Sequence, residues 1–104
     1  MDKKYSEMTH QELMDEIAQL KVKAQKAEQM GMINEFAVHE RKITMAQAYM
    51  MDPSVFKPDD VYEIRNSEAE TFRIVYMNGV FAWGHRNNGQ EEEALPISLL
   101  GSKK

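Results

Sequence analysis

The segment HERKI, His39 to Ile43, opens like the HExxH motif of zinc proteases, in which two histidines one helical turn apart ligate the metal and the glutamate acts as base. The position that needs the second histidine holds Ile43. The motif therefore fails, and His39 reads as a packing residue on a helix. His10 and His85 fall in other elements, with no acidic cluster beside them at ligating spacing, so no metal is expected. The carboxylates come as sequence neighbours: Asp15-Glu16, Asp59-Asp60 and Glu91-Glu92-Glu93. Neighbours on a helix or strand point in different directions, which suits solvated charge better than a paired acid and base. There is no cysteine for a thiolate, no G-x-S-x-G elbow, no P-loop and no G-x-G-x-x-G. The expectation is a protein without catalysis and without a cofactor.

What could recognise a ligand is aromatic. Tyr62, Tyr76, Phe81 and Trp83 cluster in the second half of the chain, and such rings either fill a small core or wall a groove or cage for a peptide or a cationic group. A second reading uses the helices: Lys21, Lys23, Lys26, Arg41 and Lys42 could touch phosphate, although Glu28, Glu35 and Glu40 are interspersed among them. The net charge of -4 is shared evenly by the two halves, and neither is basic, which weighs against nucleic acid as a partner.

These residues need elements to hold them. Thr9 and Glu12 have the spacing of a capping box, with Met8 and Leu13 as the hydrophobic staple, so a helix starts there. Leu13, Ile17, Leu20, Ala24 and Ala27 form one apolar stripe, and Gly31 suits the left-handed residue that ends the helix. Asn34 is placed to cap a second helix, with Ile33 and Val38 as its staple. Its stripe is Phe36, His39, Ile43, Ala46 and Met50, and it ends by Asp52-Pro53. A link this short makes the pair antiparallel. The fold back gathers Met8, Met14, Met45, Met50 and Met51 at one end, where methionine fills gaps or lines an adaptable groove.

After Pro53 the period changes to two. Tyr62 and Ile64 alternate with Glu63 and Arg65 in a first strand, SEAE (67–70) reads as a turn, and 71–77 reads as a second strand. Asn78-Gly79 predicts a type I′ hairpin. That turn pairs Met77 with Val80, Tyr76 with Phe81, Val75 with Ala82, Ile74 with Trp83 and Phe72 with His85. One face then carries Phe72, Ile74, Tyr76, Phe81, Trp83 and His85 as the interior. The other carries an apolar quartet, Val75, Met77, Val80 and Ala82, which is a candidate interaction patch in need of a cover. Gly84 suggests a bend and Asn87-Asn88-Gly89 a longer turn. Residues 91–100 return as a last strand with a tight turn at Pro96, before a frayed tail, GSKK.

The runs NEFAVHERKITMAQAYMMDP, YMNGVFAWGHR and EEEALPISLL, in that order, resemble the YfhH family of small proteins from bacilli, from YSEMTHQEL nearly to the tail. The resemblance implies a helical hairpin joined to an SH3-like barrel, of the kind grouped with chromodomain-like and tudor-like barrels. It supplies no established activity and no catalytic residues.

The fold expected is therefore α+β: an antiparallel helical hairpin over 1–52 and a small SH3-like β-barrel over 53–104, together one cooperative unit. The chain has no apolar run long enough to span a bilayer and no apolar stretch behind MDKKYSEMTH to act as a signal peptide. A cytoplasmic interaction module is expected, binding a protein or peptide as a monomer, or a homodimer through the helical stripe.

Overall fold

The computed structural model describes residues 3–67 and 69–104. The chain divides into two compact units, Met1–Met50 and Met51–Lys104.

The first unit is helical. After a single 3-10 turn at Tyr5–Glu7, helix α1 runs His10–Gln29 and α2 runs Ile33–Tyr49. The capping box forms in full: the Glu12 N–H donates to Thr9 Oγ1 at 3.1 Å, and the Thr9 N–H donates to Glu12 Oε1 at 2.9 Å. These two bonds satisfy donors that the first helical turn leaves unpaired. All five stripe residues of α1 are buried, and Leu13, Ile17, Leu20 and Ala24 pack with Ile43 and Ala46 of α2. Met8, Phe36, Tyr49 and Met50 close over this cluster. Ala48 is also fully buried, off the expected stripe.

The helix-to-helix link is tighter than the sequence suggests. Gly31 has φ +71. The Met32 N–H donates to Ala27 O at 2.8 Å and the Gly31 N–H to Glu28 O at 3.1 Å, the paired bonds of a Schellman stop. Met32 is already the N-cap of α2, since its carbonyl accepts from the Phe36 N–H at 2.9 Å. Asn34 is thus two residues too late to cap, and Ile33 and Val38 are exposed instead of forming a staple. Met14 is exposed as well, so it fills no gap.

The second unit is a five-stranded antiparallel sheet: β1 Val61–Ile64, β2 Thr71–Asn78, β3 Phe81–Arg86, β4 Glu92–Pro96 and β5 Leu100–Lys103, in the order β4-β3-β2-β1-β5. A 3-10 turn, Ile97–Leu99, carries the chain from one edge strand to the other. No ladder joins β4 to β5 among the described residues, so the sheet is open. The tail is not frayed: Gly101 to Lys103 belong to β5, Tyr62 pairs with Lys103, and the Lys104 N–H donates to Val61 O at 2.8 Å. Residues 91–100 are thus a strand and a turn, and the last strand begins at Leu100. The first turn bends at Arg65 and Asn66, the latter at φ 63, just ahead of SEAE; within SEAE, Glu68 lies outside the described residues.

The central hairpin departs most from expectation. Its two loop residues are Gly79 and Val80, not Asn78 and Gly79, because Asn78 already pairs with Phe81. Only Gly79 takes a positive φ, +60, as a type II′ turn requires. The double left-handed turn occurs one hairpin later, at Asn87 (φ 53) and Asn88 (φ 59), closed by the Gly89 N–H on Arg86 O at 2.8 Å. From Asn78 the register runs Met77 with Ala82 and Tyr76 with Trp83. It then slips at Val75, so that Ile74 faces Gly84 and Phe72 faces Arg86. Val75 is an extra residue on β2, a bulge. The neighbouring backbone accounts for it: the Asp59 N–H donates to Ile74 O at 2.7 Å and the Ile74 N–H donates to Asp60 O at 3.0 Å. Ile74 is thereby held on the side of β2 away from β3.

Because side chains alternate with period two, a one-residue shift exchanges faces. Phe72 and Ile74 are inside as expected, but their companions on β3 are Ala82 and Gly84. The sheet core is completed by Phe56, Tyr62, Ile64, Val80, Leu95, Ile97 and Leu100.

Candidate functional site

The exchange of faces sends Tyr76, Phe81 and Trp83 outward. Cross-strand partners share a face, so Trp83 lies between Tyr76 on β2 and Ala94 on β4, and Phe81 lies between Asn78 and Pro96. The result is a strip of three rings bordered by an alanine and a proline. Tyr76 is 43% exposed, while Phe81 and Trp83 are half-buried. The rings of Tyr76 and Trp83 stack almost parallel, 3° between planes and 5.8 Å between centroids. A stacked pair of this kind is rigid, apolar on its faces and polar at its rim, where the phenol hydroxyl and the indole N–H lie.

The strip has a charged end. His85 pairs with Arg73 on one side and Glu92 on the other, and its Nδ1 lies 3.0 Å from the Glu91 carbonyl. A carbonyl only accepts, so that bond puts the ring proton on Nδ1. Arg73 approaches Asp59 at 3.6 Å. Nearby, Arg86 grips both oxygens of Glu93, at 3.1 and 2.9 Å, and reaches Glu70 at 3.1 Å. This clamp ties β3 to β4 and to the β1–β2 turn. Its hydrogen bonds to Glu93 and Glu70 raise the Arg86 pKa, and bonds from Ser67 and Arg86 hold Glu70 below the ordinary carboxylate range.

The remaining sequence candidates separate. Tyr62 is core, with its ring 5.2 Å from that of Phe56, so it is no part of an open groove. Of the expected apolar patch, Val80 and Ala82 are buried, Met77 is half-buried, and Val75 is at the surface through its bulge. The quartet is therefore not a surface, because the slip at Val75 put two of its members into the core. Ala94 and Pro96 were missed as neighbours of the rings, although registering β4 against β3 would have found them.

In the helical unit, His39 is half-buried on its stripe, and its Nδ1 is buried without a hydrogen-bond partner among the described residues. The five basic residues do not make one uniform face. Lys23 and Lys26 line a hollow with Glu35. Lys23 and Lys42 line another with Lys3, Glu12 and Glu16, where Lys3 is paired with Glu12 at 2.9 Å. Arg41 and Lys42 line a third, with Lys4.

Tyr5 borders the second and third of these hollows, and its hydroxyl donates to Glu16 Oε2 at 3.1 Å. Burial, followed by the bond and charge of Glu16, pushes the Tyr5 pKa from the ordinary 10.0 up to about 12. The folded state therefore favours the protonated phenol. Its stabilising contribution is complete below pH 10 and is lost as the pH rises toward about 12. Unfolding free energies measured by denaturant titration between pH 9 and 12 should fall for the wild type by about 1 kcal/mol more than for Tyr5→Phe, after allowance for solvent screening.

Taken together, the chain is a small α+β protein: an antiparallel helix pair followed by an open five-stranded antiparallel sheet with a ring stack on its outer face. Residues 3–101 match the family described as "Protein of unknown function (DUF1811)". The chain is 57% identical over 105 residues to the "Uncharacterized protein YfhH" of Bacillus subtilis (strain 168), a match that covers the whole of both chains. It belongs to this family. No helix formed by the described residues is long and apolar enough to cross a membrane.

Proposed function

We propose that this protein is a non-enzymatic interaction module that takes an extended protein segment across the outer face of its sheet, on Tyr76, Trp83 and Phe81. The observation that carries this reading is the parallel Tyr76–Trp83 stack left in contact with solvent. Folding has no need of those rings outside: the interior of the sheet is filled by Phe72, Ile74, Ile97 and other buried residues. Rigid rings of this kind bind at low entropic cost, since each has only two side-chain torsions to fix. Pro96 beside Phe81 extends the apolar floor.

A meander of five short strands with a 3-10 turn before the last, in the order β4-β3-β2-β1-β5, supports reading the sheet as an SH3-like barrel. Barrels of that kind use aromatic walls for proline-containing segments. The charged end at Arg73, His85 and Glu92 would set the direction of the bound segment.

A peptide library selected against the full chain, with Trp83→Ala as the counter-selection, tests this. Enrichment of related sequences that bind the wild type and lose at least about tenfold against Trp83→Ala is the expected result, as for an aromatic anchor worth more than about 1.4 kcal/mol. Enriched peptides that ignore the substitution, or no enrichment at all, would overturn it.

A further inference from the structure

The 3-10 turn at Tyr5–Glu7 lays the N-terminal segment against α2 and leaves a hollow of about 360 Å³. Its apolar surface comes from Tyr5, Met45 and Tyr49, all half-buried, and its rim from the exposed Lys4, Arg41 and Lys42. Among the described residues, no carboxylate lines it. Glu16, which accepts from the Tyr5 hydroxyl, lines the neighbouring hollow instead. Among the described residues, none of the three cations is in an ion pair. This distinguishes the hollow from its neighbour, where Lys3 is already neutralised by Glu12 and where Glu16 adds further negative charge.

Two tyrosines and a thioether around an apolar floor accept a flat ring, and three cations at one rim, none in an ion pair among the described residues, accept an anionic group. The volume falls at the small end of ligand clefts, which span roughly 300 to 1,000 Å³. We infer that this hollow is a binding site for a small amphipathic anion: a planar apolar body carrying one phosphate or carboxylate. The ring lies between Tyr5, Met45 and Tyr49, and the anionic group is held by Arg41 and Lys42 with Lys4 across the rim. Arg41 supplies the directional fork and the lysines supply charge. The site lies wholly on the helical unit and is independent of the ring strip on the sheet.

Naphthyl phosphate is a suitable probe, titrated into the full chain while the Met45 methyl and the Tyr5 and Tyr49 ring resonances are followed by NMR. Saturable shifts of these three residues are expected, with naphthol and inorganic phosphate each binding at least about tenfold more weakly, since each supplies half of the recognition. The variant Arg41→Gln/Lys42→Gln should weaken naphthyl phosphate by about tenfold or more while keeping the wild-type spectral dispersion, because both side chains are exposed. If naphthol binds as tightly as its phosphate ester, the hollow is only an apolar surface. If inorganic phosphate binds as tightly, it is only a cationic one. Saturable shifts confined to other residues would place the site elsewhere. Each of these three results overturns the inference, and the wild-type comparisons decide it even if the double variant fails to fold.

Discussion

Gly84→Ala is expected to cost the sheet at least about 3 kcal/mol, the upper range of overpacking. A methyl group at this position would overlap the carbonyl oxygen of Arg73 and stand 2.9 Å from its carbonyl carbon and 3.1 Å from Cα of Ile74. These are backbone atoms of the paired strand, so no rotamer change relieves the contact. Nor can β2 retreat freely, since Ile74 is held from its other side by Asp59 and Asp60.

Gly79→Ala on the same hairpin provides the control. Gly79 has φ +60 but open space around it, and its substitution should cost only about 1 kcal/mol, the price of left-handed backbone. Urea denaturation of both variants separates close approach from backbone strain. Equal losses would mean that β2 and β3 do not approach at Gly84 as described.

The second large effect concerns which ring supports the fold. Phe72→Ala should cost about 3–5 kcal/mol, because Phe72 is fully buried and its removal leaves a cavity between strands that cannot close over it. Trp83→Ala should cost only about 1–2 kcal/mol even though tryptophan is the larger side chain. Trp83 is half-buried against Tyr76, and what it loses is a stack and partial burial. Without the bulge at Val75, both rings would share the interior face and both losses would be large. Acrylamide quenching of Trp83, the single tryptophan, should accordingly fall between the native-core and denatured limits. A Trp83→Ala loss equal to that of Phe72→Ala would contradict the register.

The helical unit was almost fully legible because its signals are local. Thr9 and Glu12 meet within one turn, the stripe from Leu13 to Ala27 is set by the helical period, and α1 stops at Gly31 through bonds from Gly31 to Glu28 and from Met32 to Ala27. Asn34 misled because a capping side chain marks only where a helix can start. The Schellman turn at Gly31 had already delivered the chain to Met32 in position to begin α2. The strands were legible as strands for the same reason: alternation placed Tyr62 and Ile64 inside β1, and Phe72 and Ile74 inside β2.

By itself the sequence determined the two helices with their buried stripe, the existence and alternation of the first strands, and the absence of any familiar catalytic motif. Family membership was also readable there, from the order of whole segments. Tertiary structure alone decided which face of the hairpin looks inward. Moving the turn from Asn78-Gly79 to Gly79-Val80 changes partners but not faces, since Phe81 and Trp83 lie on one face. The faces are exchanged by the bulge at Val75, which rests on contacts remote in sequence: Ile74 with Asp59 and Asp60, and Gly84 against Arg73. Because that one extra residue exchanges the faces beyond it, Phe72 and Ile74 share the interior with Val80 and Ala82, and Tyr76, Phe81 and Trp83 are turned outward.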